Sequence, residues 1–262
     1  MAIVKAAVIT GGLVIVGGGG GYYISTLFGE PNPKVCIEKP LTGKFGEDFQ
    51  YHFMDASDNR NDPWWEVRLE HLRDIGNNRS GEEGFQEEKF LSTEFRNNVI
   101  KDLEALKNAC KSAYEKTSKE IHVAEEVEQS NTEKQNKFKY EQNIWTFCSL
   151  AGQKPKLVYE EGVESEYKGN TGKLGENKKK SLVSIKSFDN KEFWEIQAKS
   201  FFSWNISFQA NSPFKNLHEK PNASEKTVDA FKKVCEDKYK SSDVNDLETL
   251  KFCSLQGKTK SS

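Results

Sequence analysis

TGKFGED, residues 42–48, returns as TGKLGEN at residues 171–177, at an offset of 129 positions (171 minus 42). At the same offset, Trp64-Trp65-Glu66-Val67 meets Phe193-Trp194-Glu195-Ile196 without a gap. Agreement of two separate segments in a single register is hard to obtain by chance. The pattern therefore indicates two tandem copies of one module.

The match continues after two changes of loop length. At an offset of 125, an apolar stripe recurs, with Leu103, Leu106, Cys110 and Tyr114 matching Val228, Phe231, Cys235 and Tyr239. At an offset of 105, TFCSL (146–150) matches KFCSL (251–255), and a glycine soon follows each. The first copy thus carries 20 extra residues (125 minus 105) before its last element. This polar insert predicts an exposed loop or a helix extension.

The same stretch looks like the end of a phosphate-binding loop, in which glycines approach phosphates and a Ser or Thr holds magnesium. However, Phe45 stands at the Ser/Thr position and Glu38 at the first glycine, and the second copy fails in the same places, with Leu174 and Tyr167. We therefore expect no nucleotide and no other cofactor. We expect instead a turn that uses the positive φ open to glycine, at Gly43, Gly46, Gly172 and Gly175.

The sequence of each copy predicts a mainly α-helical module with three helices and a short extended piece, such as SLVSIKSF at 181–188. Asp62 is suited to cap the first helix, with Pro63 at its first position. In the second copy, Asp189 and Glu192 have capping-box spacing, and Ser224 can cap the next helix. We place the two small α-rich modules at residues 30–152 and 153–262.

Residues 6–28 contain no charged side chain. As a helix they would measure about 35 Å, enough to cross a hydrocarbon core of ~30 Å. Lys5 before them favours a cytoplasmic N-terminus and export of the rest. We therefore expect a single-pass signal-anchor at 1–29, with the C-terminal part extracellular. Two alternatives are a cleaved signal peptide, because glycines supply small residues, and a dinucleotide-binding turn, in which Tyr22 would occupy the third glycine position.

The composition limits the partners. A formal net charge of −2 provides no field that would gather nucleic acid, so we expect no nucleic-acid partner. Charged residues make up 30% of the chain, yet aromatic residues reach 11%. Disordered chains are poor in aromatics, so the composition indicates folded modules.

Four of the five cysteines fall at matched positions, two in each copy. Outside the cell they could pair within each copy, Cys110 with Cys148 and Cys235 with Cys253. The alternative is that all four are buried as small apolar groups. The fifth, Cys36, lies near the predicted anchor.

No familiar catalytic or metal-binding pattern is readable. The four histidines (His52, His71, His122 and His218) lack the spacing of a zinc site, and neither G-x-S-x-G nor H-E-x-x-H occurs. We therefore expect no metal site, no catalytic residue and no enzyme.

The matched aromatic pairs are the candidates for core or binding residues. We expect Trp65 and Trp194 to anchor the core, because the next helix offers a narrow apolar stripe that needs a large partner. Their neighbours Trp64 and Phe193 would then face outward and contact a ligand, since aromatic residues are enriched in binding hot spots.

The glycine-rich start MAIVKAAVITGGLVIVGGGGGYYIS, the Trp-containing helix and the paired endings KVCEDKY and LKFCSL resemble the large paralogous sets of uncharacterised proteins in haemotropic mycoplasmas. The resemblance implies a wall-less bacterium whose plasma membrane is its outer surface. It implies no catalytic residues.

The resulting expectation is a membrane-anchored surface protein that acts by binding, adhesion or antigenic display, with the membrane and a host-cell surface protein as partners. The alternative is a cell-surface enzyme of hydrolase type.

Overall fold

The computed structural model describes residues 35–77, 89–123, 132–161, 166–203, 207–243 and 245–257. This part of the chain is mainly helical, as predicted. Its ten α-helices are α1 (Phe45–Asp48), α2 (Asp62–Asn77), α3 (Leu103–Tyr114), α4 (Ser118–Ile121), α5 (Thr132–Cys148), α6 (Leu174–Asn177), α7 (Lys191–Ser203), α8 (Pro213–His218), α9 (Val228–Tyr239) and α10 (Leu247–Cys253).

Where the sequence predicts short extended pieces, the structure has isolated β-bridges. Within the described ranges, the β-structure consists of isolated antiparallel bridges: Cys36 with Met54, Phe53 with Ser149, Leu157 with Val183, and Leu182 with Ser254. The predicted anchor at 6–28 lies outside the described residues. None of the helices described is both long and apolar enough to cross a membrane.

The chain divides into two compact units. The first holds the described residues up to 40, together with 53–115 and the described part of 127–154. The second holds 41–52, 116–126 and 155–262, again where described. The turn at 42–48 and the segment after α3 therefore group with the second unit, although the sequence repeat assigns them to the first copy.

The second helix of each copy begins at a matched cap. The Asp102 side chain accepts a hydrogen bond from the Ala105 N–H at 2.8 Å. The Thr227 hydroxyl, 125 positions later, accepts from the Ala230 N–H at 3.1 Å. Each side chain satisfies one of the unpaired N–H groups that open a helix. The prediction of Ser224 as the cap is wrong, because Ser224 lies in a separate 3₁₀ turn, Ala223–Glu225.

The first long helix of each copy, α2 or α7, follows a 3₁₀ turn that the sequence did not suggest. These turns are Asn59–Asn61 and Phe188–Asn190. Asp62 therefore lies inside the first turn of α2, and Asp58 caps the 3₁₀ turn before it, accepting from the Arg60 N–H at 2.9 Å. Asp189 lies within its 3₁₀ turn, 2.6 Å from Lys156, so it does not occupy the N-cap position of the predicted capping box.

A buried asparagine ends each 3₁₀ turn and ties the preceding chain to the helix. Asn61 accepts from the Val35 N–H at 2.9 Å and donates to the Val35 and Asp55 carbonyls at 2.8 and 2.9 Å. Asn190 accepts from the Lys156 N–H at 2.8 Å and donates to the Lys156 and Ser184 carbonyls at 2.8 and 2.9 Å. In both copies the Asn side chain thus connects two backbone segments, one at residue 35 or 156 and one at residue 55 or 184.

A buried tyrosine and a disulfide close each copy. The Tyr239 hydroxyl lies 2.9 Å from both the Val183 and Cys253 carbonyls. The matching Tyr114 hydroxyl lies 3.1 Å from the Met54 carbonyl and 3.4 Å from that of Cys148. Burial raises the pKa of both phenols well above its ordinary value, so each remains a neutral donor.

The disulfides pair as predicted. Cys110 bonds Cys148 with a Cα–Cα distance of 5.7 Å, and Cys235 bonds Cys253 at 6.0 Å. Each bond joins the second helix of a copy to its last helix. Both distances lie within the ordinary range for disulfides.

The glycine-rich stretches form the short helices α1 and α6, whose first N–H groups bond the chain just after α3 and α9. The Phe45 N–H donates to the Lys116 carbonyl at 2.7 Å, and the Leu174 N–H donates to the Ser241 carbonyl at 2.9 Å. Gly43 adopts φ of +77°, as the turn requires, whereas in the second copy the positive φ falls on Gly169, at +75°. Gly46 and Gly175 lie inside α1 and α6.

Candidate functional site

The two predicted core tryptophans are buried. Trp65 and Trp194 are 0% and 1% exposed. The Trp194 indole N–H donates to the Ser184 carbonyl at 3.0 Å, and that of Trp65 points to the matching Asp55 carbonyl at 3.5 Å. Each ring therefore packs within its own module and directs its N–H at the residue after a β-bridge position, Met54 or Val183.

The prediction that Trp64 and Phe193 face outward is wrong, because both are buried at 4% and 2% exposure. The Trp64 ring packs edge-on against Trp65 at 4.7 Å and is covered by the Arg68 guanidinium at 4.7 Å. Phe193 stacks on His52 at 4.8 Å, within the second unit. These four aromatic residues form core contacts and leave no face for a ligand.

The remaining site predictions concern cysteines and histidines. The four paired cysteines are fully buried, and their sulfurs are used in the disulfides. In the part of the chain that the structure describes, no three His, Cys, Asp or Glu side chains group as metal ligands would.

A groove of about 360 Å³ lies in the first unit, between the end of α2, residues 89–91 and α5. Pockets that hold small ligands measure roughly 300–1,000 Å³, so this groove is at the lower end of that range. Apolar side chains supply its walls and part of its floor: Ile75, Phe90, Leu91, Phe138 and Phe147. Phe90 stands at the rim with 44% of its surface exposed.

One face of α5 forms the floor. The groove-lining residues of this helix are Gln135, Phe138, Lys139, Gln142, Asn143, Thr146 and Phe147. Relative to Gln135, these residues fall at positions +3, +4, +7, +8, +11 and +12, so they lie along one stripe of the helix. The N-terminal part of that stripe is the insert of the first copy. From Thr132 onward the insert is thus a helix extension, one of the two forms that the sequence allowed.

A buried asparagine fixes the facing wall. Asn143 accepts from the Ser92 N–H at 2.8 Å and donates to the Phe90 carbonyl at 3.1 Å. This contact holds the 89–92 segment against α5. The residue aligned with Asn143 is Glu248, which accepts from the Gln209 N–H at 2.7 Å and from the Ser212 hydroxyl. Both copies therefore clamp the connection between their first and second helices from the last helix.

A buried ion pair supports the floor from behind. Lys154 and Glu141 lie 2.8 Å apart, with their side chains 4% and 1% exposed. The Lys154 ammonium also lies 5.4 Å from the Phe138 ring centroid. Because removal of either partner would leave a buried charge, this pair holds the middle of α5 in place.

The groove has positively charged lining residues. Lys89 and Lys139 line it, and the described lining contains no Asp or Glu side chain.

The matched region of the second copy is built differently. Helix α10 begins at Leu247, which aligns with Gln142, so the stretch of α5 that carries Gln135 to Lys139 has no counterpart in that helix. Lys251 takes the place of Thr146, with its ammonium 5.3 Å from the Phe252 ring centroid. Burial lowers the pKa of Lys251. The outward-facing candidates from the sequence, Trp64 and Phe193, stand at matched positions, whereas the groove lies on a feature particular to the first copy.

The sequence did not single out the groove residues. The available signal was the insert itself, in which Phe138 interrupts a polar run at helical spacing from Gln142. That spacing predicts an amphipathic face, but the facing wall comes from residues 75 and 89–91, far away in the sequence.

The comparisons with known proteins assign no relative. No protein-family model matches the chain, and neither the curated proteins nor the solved structures give a significant match.

Proposed function

We propose that this chain is an exported, membrane-anchored surface protein that acts by binding, with the groove along α5 as its binding site. The observation that carries the proposal is the groove itself: a largely apolar concavity with a clamped wall, built on the helix extension of the first copy. Scaffolds commonly gain function through such additions while the repeated core supplies stability.

The two disulfides support the proposal that the modules are exported. Both pairs occupy matched positions and close small modules, which is the usage typical of proteins in oxidising compartments. The predicted signal-anchor and the resemblance to the mycoplasma surface sets point the same way. On this proposal a host-cell surface component is the partner.

The binding test is a matched pair of tryptophan substitutions. Gln142→Trp should fill the groove, because residue 142 lines it from a half-buried position. Leu247→Trp places the same side chain at the aligned, 51% exposed position of the second copy. Full-length protein in lipid vesicles is offered to washed host cells, and bound vesicles are counted. We expect Gln142→Trp to abolish binding and Leu247→Trp to retain it.

Comparison of the two variants decides whether the groove is the binding site. Equal loss in both variants, or retention in both, would overturn the assignment of binding to the groove. Intact disulfides in each variant, checked by non-reducing digestion, exclude misfolding as the cause of a loss. Export is tested separately: protease applied to intact cells should remove both modules, and their survival until lysis would contradict the orientation.

A further inference from the structure

We propose that Lys107 forms an isopeptide bond with the side chain of Asn59, with Asp62 as the base that accepts a proton from the lysine. This is a covalent modification within the first unit, and it is independent of the groove along α5. The three side chains supply the groups that the reaction needs, which are an amine, a carboxamide and a carboxylate. The amide and the carboxylate both contact the Lys107 ammonium.

The Lys107 side chain extends from α3 to the start of α2. Its ammonium lies 2.8 Å from Asp62 Oδ1 and 3.4 Å from Asn59 Oδ1. Because a C=O bond is ~1.2 Å long, the Asn59 carbonyl carbon lies no more than about 4.6 Å from the amine nitrogen. Reacting atoms need a separation of about 3–3.5 Å. Asn59 is exposed, so rotation of its side chain can close the remaining distance.

The surroundings of Lys107 favour a neutral product over the ion pair. Lys107 is 6% exposed, whereas lysine is seldom buried unless it is paired. Its ammonium has therefore lost most of its hydration, and burial of a charge costs free energy. An amide at this place carries no charge. Since Asn59 is exposed, the nitrogen that leaves can diffuse into solvent, which removes it from the reverse reaction.

The reaction balances in atoms and charge. The Asp62 carboxylate takes one proton from the Lys107 ammonium and leaves a neutral amine, which is the nucleophilic form of lysine. The lone pair on Nζ forms a bond to Cγ of Asn59, and the bond from Cγ to Nδ2 breaks. Nδ2 takes up the proton held by Asp62 and one from the attacking nitrogen, and it leaves as ammonium. The Asp62 carboxylate is restored, and no oxidant or other co-reactant is needed.

The second copy does not carry this set of groups. In place of Asn59, Asp62 and Lys107, its aligned residues are Phe188, Lys191 and Lys232. The second copy nevertheless forms the same 3₁₀ turn, first long helix and second helix. The fold of a module therefore does not require the three groups.

The bond would add a second covalent tie to α3. Lys107 lies three residues before Cys110, which bonds Cys148 in the last helix of the copy. The isopeptide bond would join the same helix to the turn ahead of α2, across 48 residue steps. Reduction of the disulfides would leave this tie intact, so the first unit would keep one closed loop in a reducing medium.

The experiment measures the mass of the full-length protein after its cysteines have been reduced and alkylated. We expect a mass lower than that of the sequence by one ammonia, and a digest in which the peptide with Asn59 is joined to the peptide with Lys107. Lys107→Arg keeps a cation beside Asp62 and removes the nucleophile, so it should restore the full mass. Lys232→Arg, the matched change in the second copy, should leave the loss of ammonia unaltered.

The role of the base is tested by Asp62→Ala, which should also restore the full mass, while intact disulfides before reduction show that the variant has folded. A full mass in the parent protein would overturn the proposal and leave an ion pair between Lys107 and Asp62. Loss of one water, with Asp62 joined to Lys107, would also contradict it, as would loss of ammonia without linked peptides. None of these outcomes depends on host-cell binding, so the proposed function is tested separately.

Discussion

Trp194 both fills space in the core and donates a hydrogen bond. Its ring is buried at 1% exposure, and its N–H bonds the Ser184 carbonyl at 3.0 Å. We predict that Trp194→Ala lowers the free energy of unfolding by about 3–5 kcal/mol, because a large cavity replaces the ring. Trp194→Phe keeps most of the ring volume and removes the donor, so it should cost less. Thermal unfolding of the full chain measures both, and an alanine variant that melts like the parent would contradict the core role.

Gly175 tests a close approach between backbone and ring. A Cβ placed there would lie 2.5 Å from Cγ of the fully buried Tyr167. We predict that Gly175→Ala destabilises the protein by about 1–3 kcal/mol, since the buried ring or α6 must shift to admit the methyl group. Gly172→Ala is the control, because its Cβ would meet only Asn170 Oδ1, at 3.2 Å. Chemical denaturation should separate the two variants, and equal midpoints would argue against a tight contact.

Residue-level prediction from sequence succeeded where the signal was local. Trp65 and Trp194 were assigned to the core because they recur beside an apolar stripe. Trp64 and Phe193 were assigned outward because helix periodicity alone separates neighbouring residues by about 100°. Their burial comes from Arg68 and from His52, which is far from Phe193 in sequence. Periodicity does not report contacts of that kind.

Matched caps decide where the second helix of each copy begins. Removing the side chain of Asp102 or Thr227 frees an N–H at the start of α3 or α9. We predict that Asp102→Ala and Thr227→Ala each cost about 0.5–2 kcal/mol. Ser224→Ala, three residues before Thr227, should change stability little. Thermal melts of the three variants test this, and a larger loss in Ser224→Ala would restore the cap that the sequence suggested.

At the scale of elements, the sequence predicted the helices but not how they start. The 3₁₀ turns ahead of α2 and α7 are held by Asn61 and Asn190, whose partners are backbone groups upstream. Because a backbone carbonyl is present at every residue, a hydrogen bond to it leaves no pattern in the sequence. The groove escaped prediction for a related reason: its floor is visible in the insert, whereas its wall is set by the clamp from Asn143 to residues 90 and 92.

At the scale of the whole molecule, the sequence indicates the repeat but does not predict the division into two compact units. The sequence assigns residues 41–52 and 116–126 to the first copy, while the structure groups them with the second unit. His52, for example, bonds the Gln197 side chain at 2.9 Å. Internal similarity reports which segments resemble each other, whereas a compact unit is defined by which residues contact one another.

The disulfides should dominate the stability of these small modules. They close loops of 38 and 18 residue steps, for which the chain-entropy model gives about 3–4 kcal/mol each. We predict that Cys110→Ser with Cys148→Ser, and separately Cys235→Ser with Cys253→Ser, each lower the free energy of unfolding by that amount. Urea unfolding measures it, and variants as stable as the parent would show that the helices alone hold each module.

The most direct test of the account is the cysteine linkage in protein taken from intact cells. Thiols are alkylated before lysis, the full chain is digested without reduction, and the linked peptides are identified by mass spectrometry. The account predicts two linkages, Cys110 with Cys148 and Cys235 with Cys253, and Cys36 in neither. Alkylation of all four matched cysteines, or a linkage from one copy to the other, would contradict an exported chain of two separately closed modules.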